Sequence, residues 1–260
     1  MPIDGRTDFP TSPRTGSQAV ERALTVLNCF AEADGDLGVS DVAQRTGLTV
    51  STAHRLMRAL HVGGLLGQDE RTERYHLGSL VVALGRRAEA HLGFDRLLPA
   101  LEALGARTGE SVNLGTRLGD EVLIVLHVAS VHPLRFEQAA GTRVPIHASA
   151  MGKALLAFSP DPAVEVDALG GLDRYTGHTM TTREALLDDL LATRHRGWSL
   201  NDGERDAGVR TIGAPLRGED GAPWAAIAIQ GPAVRITDDR VPDLAAALEE
   251  TAAALGSMRP

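Results

Sequence analysis

The chain has 260 residues, 43% of them apolar, which is enough for one large or two modest domains with buried cores and too apolar for a disordered chain. One cysteine, Cys29, excludes an internal disulfide and any multi-cysteine metal site, and no apolar run reaches the roughly 18 residues a membrane helix needs. The net charge of −8 argues mildly against a nucleic-acid partner, but the stretch from Val42 to Gln68 carries Arg45, Arg55 and Arg58 and no acid at all.

Residues 1–16 read as a disordered arm rich in Pro, Thr, Ser and Gly, without the apolar segment of a secretory signal, so a cytoplasmic protein is expected. A helix is predicted over Ser17–Ala33, capped by Ser17, with Val20, Ala23, Leu27 and Phe30 on one stripe and Asp34-Gly35-Asp36 ending it. A second short helix fits Ser40–Thr46, with Ser40 as cap and Gly47 as its stop. A third fits Val50–Val62, capped by Thr49 and followed by Gly63-Gly64. Leu65–Leu77 then reads as a small hairpin turning at Asp69-Glu70-Arg71-Thr72, and Leu80–Leu92 as a helix able to connect two domains.

The second half has a different grammar. A helix over Phe94–Thr108 precedes strands Ser111–Arg117 and Glu121–Val128, and a third strand is predicted at Leu134–Gln138. Helices at Ser149–Phe158 and Thr182–Arg196 follow, then strands at Trp198–Asn201, Val209–Arg217 and Pro223–Gln230. Thr237 is predicted to cap a terminal helix reaching Leu255, with Asp238 and Asp239 in its first turn. The expected fold class is α+β, a mostly antiparallel sheet with helices packed on it.

The third helix carries the functional signal. At 100° per residue, Ala53, Leu56, Met57 and Leu60 fall between roughly 240° and 340° from Val50, while Ser51, Arg55 and Arg58 fall between roughly 80° and 140°. One face packs; the other offers a hydroxyl and two guanidiniums. A short helix and the tight Thr46-Gly47-Leu48 turn precede it, which is helix-turn-helix geometry, and the hairpin behind it makes a wing carrying Arg71 and Arg74. An arginine on such a helix bonds guanine's two major-groove acceptors or clamps phosphate.

The segment from Ser17 to Leu80 resembles the winged helix-turn-helix of the isocitrate-lyase-regulator (IclR) family, most specifically in GL-x-x-ST-x-HRL from Gly47 to Leu56 and RYHLG from Arg74 to Gly78. HASAMGKALLA (His147–Ala157), RYTGHTMTT (Arg174–Thr182), GVRTIGAPL (Gly208–Leu216) and QGPAVRITDDR (Gln230–Arg240) resemble the same family's effector domain. The resemblance implies a winged helix-turn-helix over 17–79, a linker helix over 80–93 and a GAF-like effector domain over 94–260. It also implies a homodimer through the DNA-binding half, often a homotetramer, and commonly a repressor. The DNA-contacting set it suggests is Ser51, Thr52, His54, Arg55, Arg58, Arg71 and Arg74. For the effector it implies the amides of Ala150 and Met151, with Asn201, Thr211, Ala228 and Gln230 at positions where keto-acid-binding members carry an Asp, a Cys and two serines. Phe136 and Val144 are expected to line an apolar wall, and the ligand to be an organic acid other than glyoxylate.

Gly152-Lys153 lacks the spacing and the following Ser or Thr of a phosphate loop, and Lys153, the chain's one lysine, is expected to be structural. His127, His132 and His147 lack the spacing of a zinc set, and no G-x-S-x-G elbow supports a hydrolase. Neither cofactor nor metal is expected. The rival readings are a small-acid enzyme with a dimerising first domain, and a sensor that docks on a protein instead of DNA.

Overall fold

The computed structural model describes residues 15–31, 33 and 35–258. The expected arm falls, up to residue 14, outside these, as do Glu32 and Asp34. The chain divides into two compact units, one up to Arg87 and one from Ala88.

The first unit holds α1 (Thr15–Ala31), α2 (Val39–Thr46), α3 (Val50–Val62), β1 (Leu66–Gln68), β2 (Tyr75–Leu77) and most of α4 (Ser79–Leu92). The buried side of α1 is Val26, Cys29 and Phe30, packed on Val42 and Ala43 of α2 and Ala53 and Met57 of α3. Val20, expected on that stripe, is 59% exposed, and Ser17 lies inside the helix instead of capping it. Gly38, not Ser40, is the cap of α2: its N–H donates to Asp41 Oδ2 at 2.9 Å, half of a capping box. Gly47 ends α2 at φ +68°, a left-handed conformation that glycine takes without strain. β1 and β2 pair antiparallel, and Leu37 adds a bridge to Tyr75 through two 2.9 Å backbone bonds.

The second unit is a six-stranded antiparallel sheet between two helical layers. After α5 (Phe94–Thr108) come β3 (Ser111–Leu118), β4 (Glu121–Val128), β5 (Arg143–Pro145), α6 (Ala150–Ala157), α7 (Pro162–Asp167), α8 (Arg183–Arg196), β6 (Ser199–Asp202), β7 (Val209–Arg217), β8 (Pro223–Pro232) and α9 (Val241–Gly256). The sheet order is β5-β4-β3-β8-β7-β6. Alternation along β8 assigns its faces: Ala225, Ile227 and Ile229 pack under α5 and α9, and Ala226 and Ala228 under α6. Two predicted features differ. Leu134–Gln138 is coil, because the edge of β4 is taken by β5 and Leu134 stays 65% exposed. Thr237 accepts from the N–H groups of Arg240 and Val241 in a turn, and α9 begins only at Val241, beside Pro242, whose missing N–H suits a first turn; its acid there is Asp243. The short α7, capped by Asp161, was not predicted.

Glycines let α6 lie directly on the sheet. A Cβ on Gly213 would meet the Ala150 carbonyl at 2.7 Å, and one on Gly115 would meet Met151 Sδ at 3.1 Å. The start of α6 therefore sits against the backbone of the central strands.

Candidate functional site

Two sites follow, one in each unit. In the first, Thr49 Oγ1 accepts from the Thr52 N–H and so fixes where α3 begins. Ala53 and Met57 are fully buried, which turns Ser51, His54, Arg55 and Arg58 out to solvent. Among the described residues, neither Arg55 nor Arg58 has a hydrogen-bond or ion-pair partner, so both guanidiniums are available to a ligand. Thr52 is half-buried and shares its hydroxyl with Thr49 at 2.9 Å. Arg71 stands exposed at the wing tip, where Asp69 Oδ1 accepts its N–H at 2.9 Å. Arg74 is different. It donates to the Asp36 carbonyl at 3.0 and 2.8 Å and to Asp41 Oδ2 at 2.7 Å, bracing the wing against α2.

In the second unit a cavity of about 20 Å³, room for a single water, opens at the start of α6. Ser149 caps that helix through the Gly152 N–H and leaves the amides of Ala150 and Met151 without an intrahelical acceptor. Of the predicted residues, Val144, Ala150, Met151, Asn201, Thr211 and Gln230 line this cavity. Ala228 does not; it is fully buried beneath α6. Nor does Phe136, whose ring lies 6.0 Å from the Arg205 Cζ.

Sequence reasoning missed Gln138, Arg205 and Asp206, which join the wall together with Ala148, Ser149 and Val209. Arg205 Nε donates to Asp206 Oδ2 at 2.6 Å. With the Gln138 amide turned so that its oxygen faces Arg205, both terminal guanidinium nitrogens donate to that oxygen at 2.6 Å, and the Gln138 nitrogen donates to Gln230 Oε1 at 3.2 Å. Gln230 Oε1 also accepts from Asn113 Nδ2 at 3.1 Å, and Asn113 Oδ1 meets His127 Nδ1 at 2.7 Å. Burial holds the His127 imidazole below its ordinary pKa, which favours the neutral ring. The glycine-rich turn around Gly203 and Gly208, next to Asn201, was the available sequence signal for Arg205. Gln138 gave none, since its segment reads as a strand.

Asn201 is occupied structurally: its Nδ2 donates to the Ala148 carbonyl at 2.6 Å and its Oδ1 accepts from the Glu204 N–H at 3.0 Å. Behind it Lys153, fully buried, donates to Glu204 Oε1 and the Leu200 carbonyl, both at 2.5 Å, with Asp189 Oδ2 at 2.9 Å. This lysine ties α6 to α8 and to the turn that carries Arg205. Among the described residues no group of three or more His, Cys, Asp or Glu is arranged to hold a metal, and no helix is long and apolar enough to cross a membrane.

Comparison with known proteins covers both units. The family model described as IclR helix-turn-helix domain matches residues 19–70, and the one described as Bacterial transcriptional regulator IclR C-terminal matches residues 94–257. The chain is 34% identical to the transcriptional repressor IclR of Escherichia coli (strain K12), over 96% of this chain and 94% of that protein. It is 35% identical to the glycerol operon regulatory protein of Streptomyces griseus, over 92% and 94%. Its fold matches, at a TM-score of 0.77 and 26% identity, an IclR homologue of Microbacterium hydrocarbonoxydans solved with 4-hydroxybenzoate, over 92% of this chain and 97% of that one.

Proposed function

The chain belongs to the IclR family of DNA-binding transcriptional regulators, and from that premise we propose that it is a cytoplasmic repressor released or tightened by a small organic acid. The family is one of regulators, not enzymes. The observation that carries the DNA half is the face of α3: two exposed arginines, without a hydrogen-bond or ion-pair partner among the described residues, beside Ser51 and His54, on a helix whose opposite side is the core of its unit. In this reading Ser51, Thr52, His54, Arg55 and Arg58 meet the major groove, and Arg71 meets the backbone or minor groove at the wing. Arg74 holds the wing in place and reaches DNA only with what its brace leaves free. The winged helix-turn-helix spans 17–79, the linker 80–93 and the effector domain 94–260.

The effector's carboxylate sits on the amides of Ala150 and Met151, where free N–H groups and the helix dipole favour an anion. The homologue solved with 4-hydroxybenzoate, itself an acid, supports a ligand of this kind. The active assembly is a homodimer or homotetramer. Effector binding changes operator affinity through its different affinity for two arrangements of that assembly, and no chemistry is needed.

A mobility-shift assay on duplex DNA from upstream of the protein's own coding region tests this. Arg55→Ala or Arg58→Ala is expected to weaken binding by roughly 1–3 kcal/mol where the arginine reads a base. A phosphate contact instead lowers the salt slope by about one unit for every sequence. Wild-type affinity in both variants, with the fold intact by circular dichroism, rejects the placement of α3 on DNA.

A further inference from the structure

The cavity wall offers backbone and side-chain donors at two separate places. The amides of Ala150 and Met151 open onto it. Gln230 has its oxygen engaged by Asn113 and Gln138, so its Nε2, which has no acceptor among the described residues, is the group left for a ligand. The Gln138 oxygen and Asp206 Oδ2, the acceptor atoms nearest the cavity's one full positive charge, are both engaged by Arg205, while the paired Nη1 and Nη2 face the Gln138 oxygen and not Asp206. A wall of this kind selects a ligand carrying acceptors at both ends.

We propose that the effector is a short dicarboxylate, with one carboxylate on the α6 amides and the other on Arg205. The inference rests on the placement of the effector at the start of α6. Arg205 already presents Nη1 and Nη2 side by side to a single oxygen, the Gln138 carbonyl, at 2.6 Å. A carboxylate takes the same two donors through two oxygens and with full charge, which makes the stronger contact. Room for it has to be made, because the cavity admits about one water. The group displaced is the Gln138 side chain, carried on the coil between β4 and β5, where no strand pairing holds it. Ligand entry therefore exchanges an internal amide for an external carboxylate on one guanidinium, and frees the Gln138 coil as it does so. Asp206 keeps its bond to Nε throughout.

Calorimetric titration of the full chain at constant ionic strength provides the test. The probes are malonate, succinate, glutarate and adipate, each beside the monocarboxylate of equal carbon number, with 4-hydroxybenzoate as an aromatic comparator. One diacid is expected to bind at least tenfold more tightly than its matched monoacid and than 4-hydroxybenzoate. Arg205→Gln is expected to erase that margin while monoacid affinity stays within twofold. Arg205→Lys, which keeps the charge but not the paired N–H groups, is expected to fall between, and Gln138→Ala to tighten diacid binding severalfold by removing the internal competitor. Should Arg205→Gln fail to fold, the Lys and Gln138 variants decide. Monoacid or 4-hydroxybenzoate binding with no diacid margin, or a margin that survives loss of Arg205, overturns the inference and leaves the α6 site standing. Binding by none of the acids overturns the α6 site itself, and this inference with it.

Discussion

Two carboxylates two positions apart, Asp202 and Glu204, have opposite electrostatic fates, and both bear on the cavity. Asp202 accepts two bonds at 2.7 and 2.6 Å from Arg210, which hold its carboxyl below the ordinary aspartate value of 3.8. Its contribution to stability is therefore present above that value and is lost as pH falls through the lowered one. Glu204 lies in the interior, and burial pushes its carboxyl above the ordinary 4.5 despite the neighbouring Lys153. Its contribution is greatest below 4.5 and declines as pH rises through the raised value. Urea unfolding followed across pH 3–7 is expected to show Asp202→Asn losing part of the acid-side drop and Glu204→Gln losing part of the decline above pH 4.5; unchanged profiles in both variants would contradict these assignments. Lys153 gives the larger effect. Lys153→Ala leaves Glu204 buried without its partner, and a loss of about 3–5 kcal/mol is expected. Lys153→Met combined with Glu204→Gln is expected to lose less than Lys153→Ala alone. A larger loss in the double variant would show that Lys153 acts by packing and not by charge.

At the scale of elements, close backbone approach fixes the effector site and capping fixes the DNA-reading helix. A Cβ on Gly152 would lie 2.0 Å from the Ile146 carbonyl oxygen, a backbone atom that no rotamer change relieves. Gly152→Ala is expected to destabilise the second unit by roughly 1–3 kcal/mol or more and to abolish the effector response, as read by thermal unfolding and calorimetry. Thr49→Ala removes only a cap and is expected to cost about 1 kcal/mol. Wild-type stability in either variant would refute the corresponding placement. These elements were legible in the sequence because their determinants are local. Thr49 and Gly63 bound Val50–Val62, Gly93 and Gly109 bound Phe94–Thr108, and periodicity marked the buried side of the first. The caps at Ser17, Ser40 and Thr237 were misplaced by a residue or a few, and the misread strand has a distant cause. Leu134–Gln138 has strand composition, but Arg143–Pro145 holds the pairing position on β4. Val20 continues an apolar stripe past the end of the surface it packs against. In the cavity, six of the eight expected residues line the wall: Ala150 and Met151 at the helix start, Thr211, Gln230 and Asn201 through the β6–β7–β8 pairing, and Val144 on β5. Arg205, Asp206 and Gln138 come from a turn and a coil, whose side-chain directions no period predicts.

For the whole molecule, the question is how a chain of net charge −8 holds DNA. The acid-free stretch from Val42 to Gln68 gives one locally positive surface, and at ~150 mM salt charges beyond about 8 Å are screened from it. One such head buries too little DNA for tight binding, so paired heads on a pseudo-palindromic operator are expected. The first unit carries apolar side chains for such pairing. Among the described residues α4 buries none of its side chains; Leu80 and Leu84, four apart on one face, are 40% and 52% exposed, and Val20 and Leu24 of α1 are 59% and 49% exposed. Solvent-facing leucines in i, i+4 register suit a helix–helix contact, and in the proposed homodimer a second copy of the chain would supply the same face by two-fold symmetry. Light scattering at micromolar concentration is expected to give two or four times the chain mass. Leu80→Ser with Leu84→Ser is expected to lower it to the monomer, and to weaken operator binding by at least about 100-fold, the scale on which linking two modest sites acts. Near-ultraviolet circular dichroism from Trp198 and Trp224, both in the second unit, reports whether that unit survives the change. A double variant that keeps the wild-type mass and operator affinity would place the pairing surface elsewhere; one that becomes monomeric yet binds the operator at full strength would show that a single head suffices.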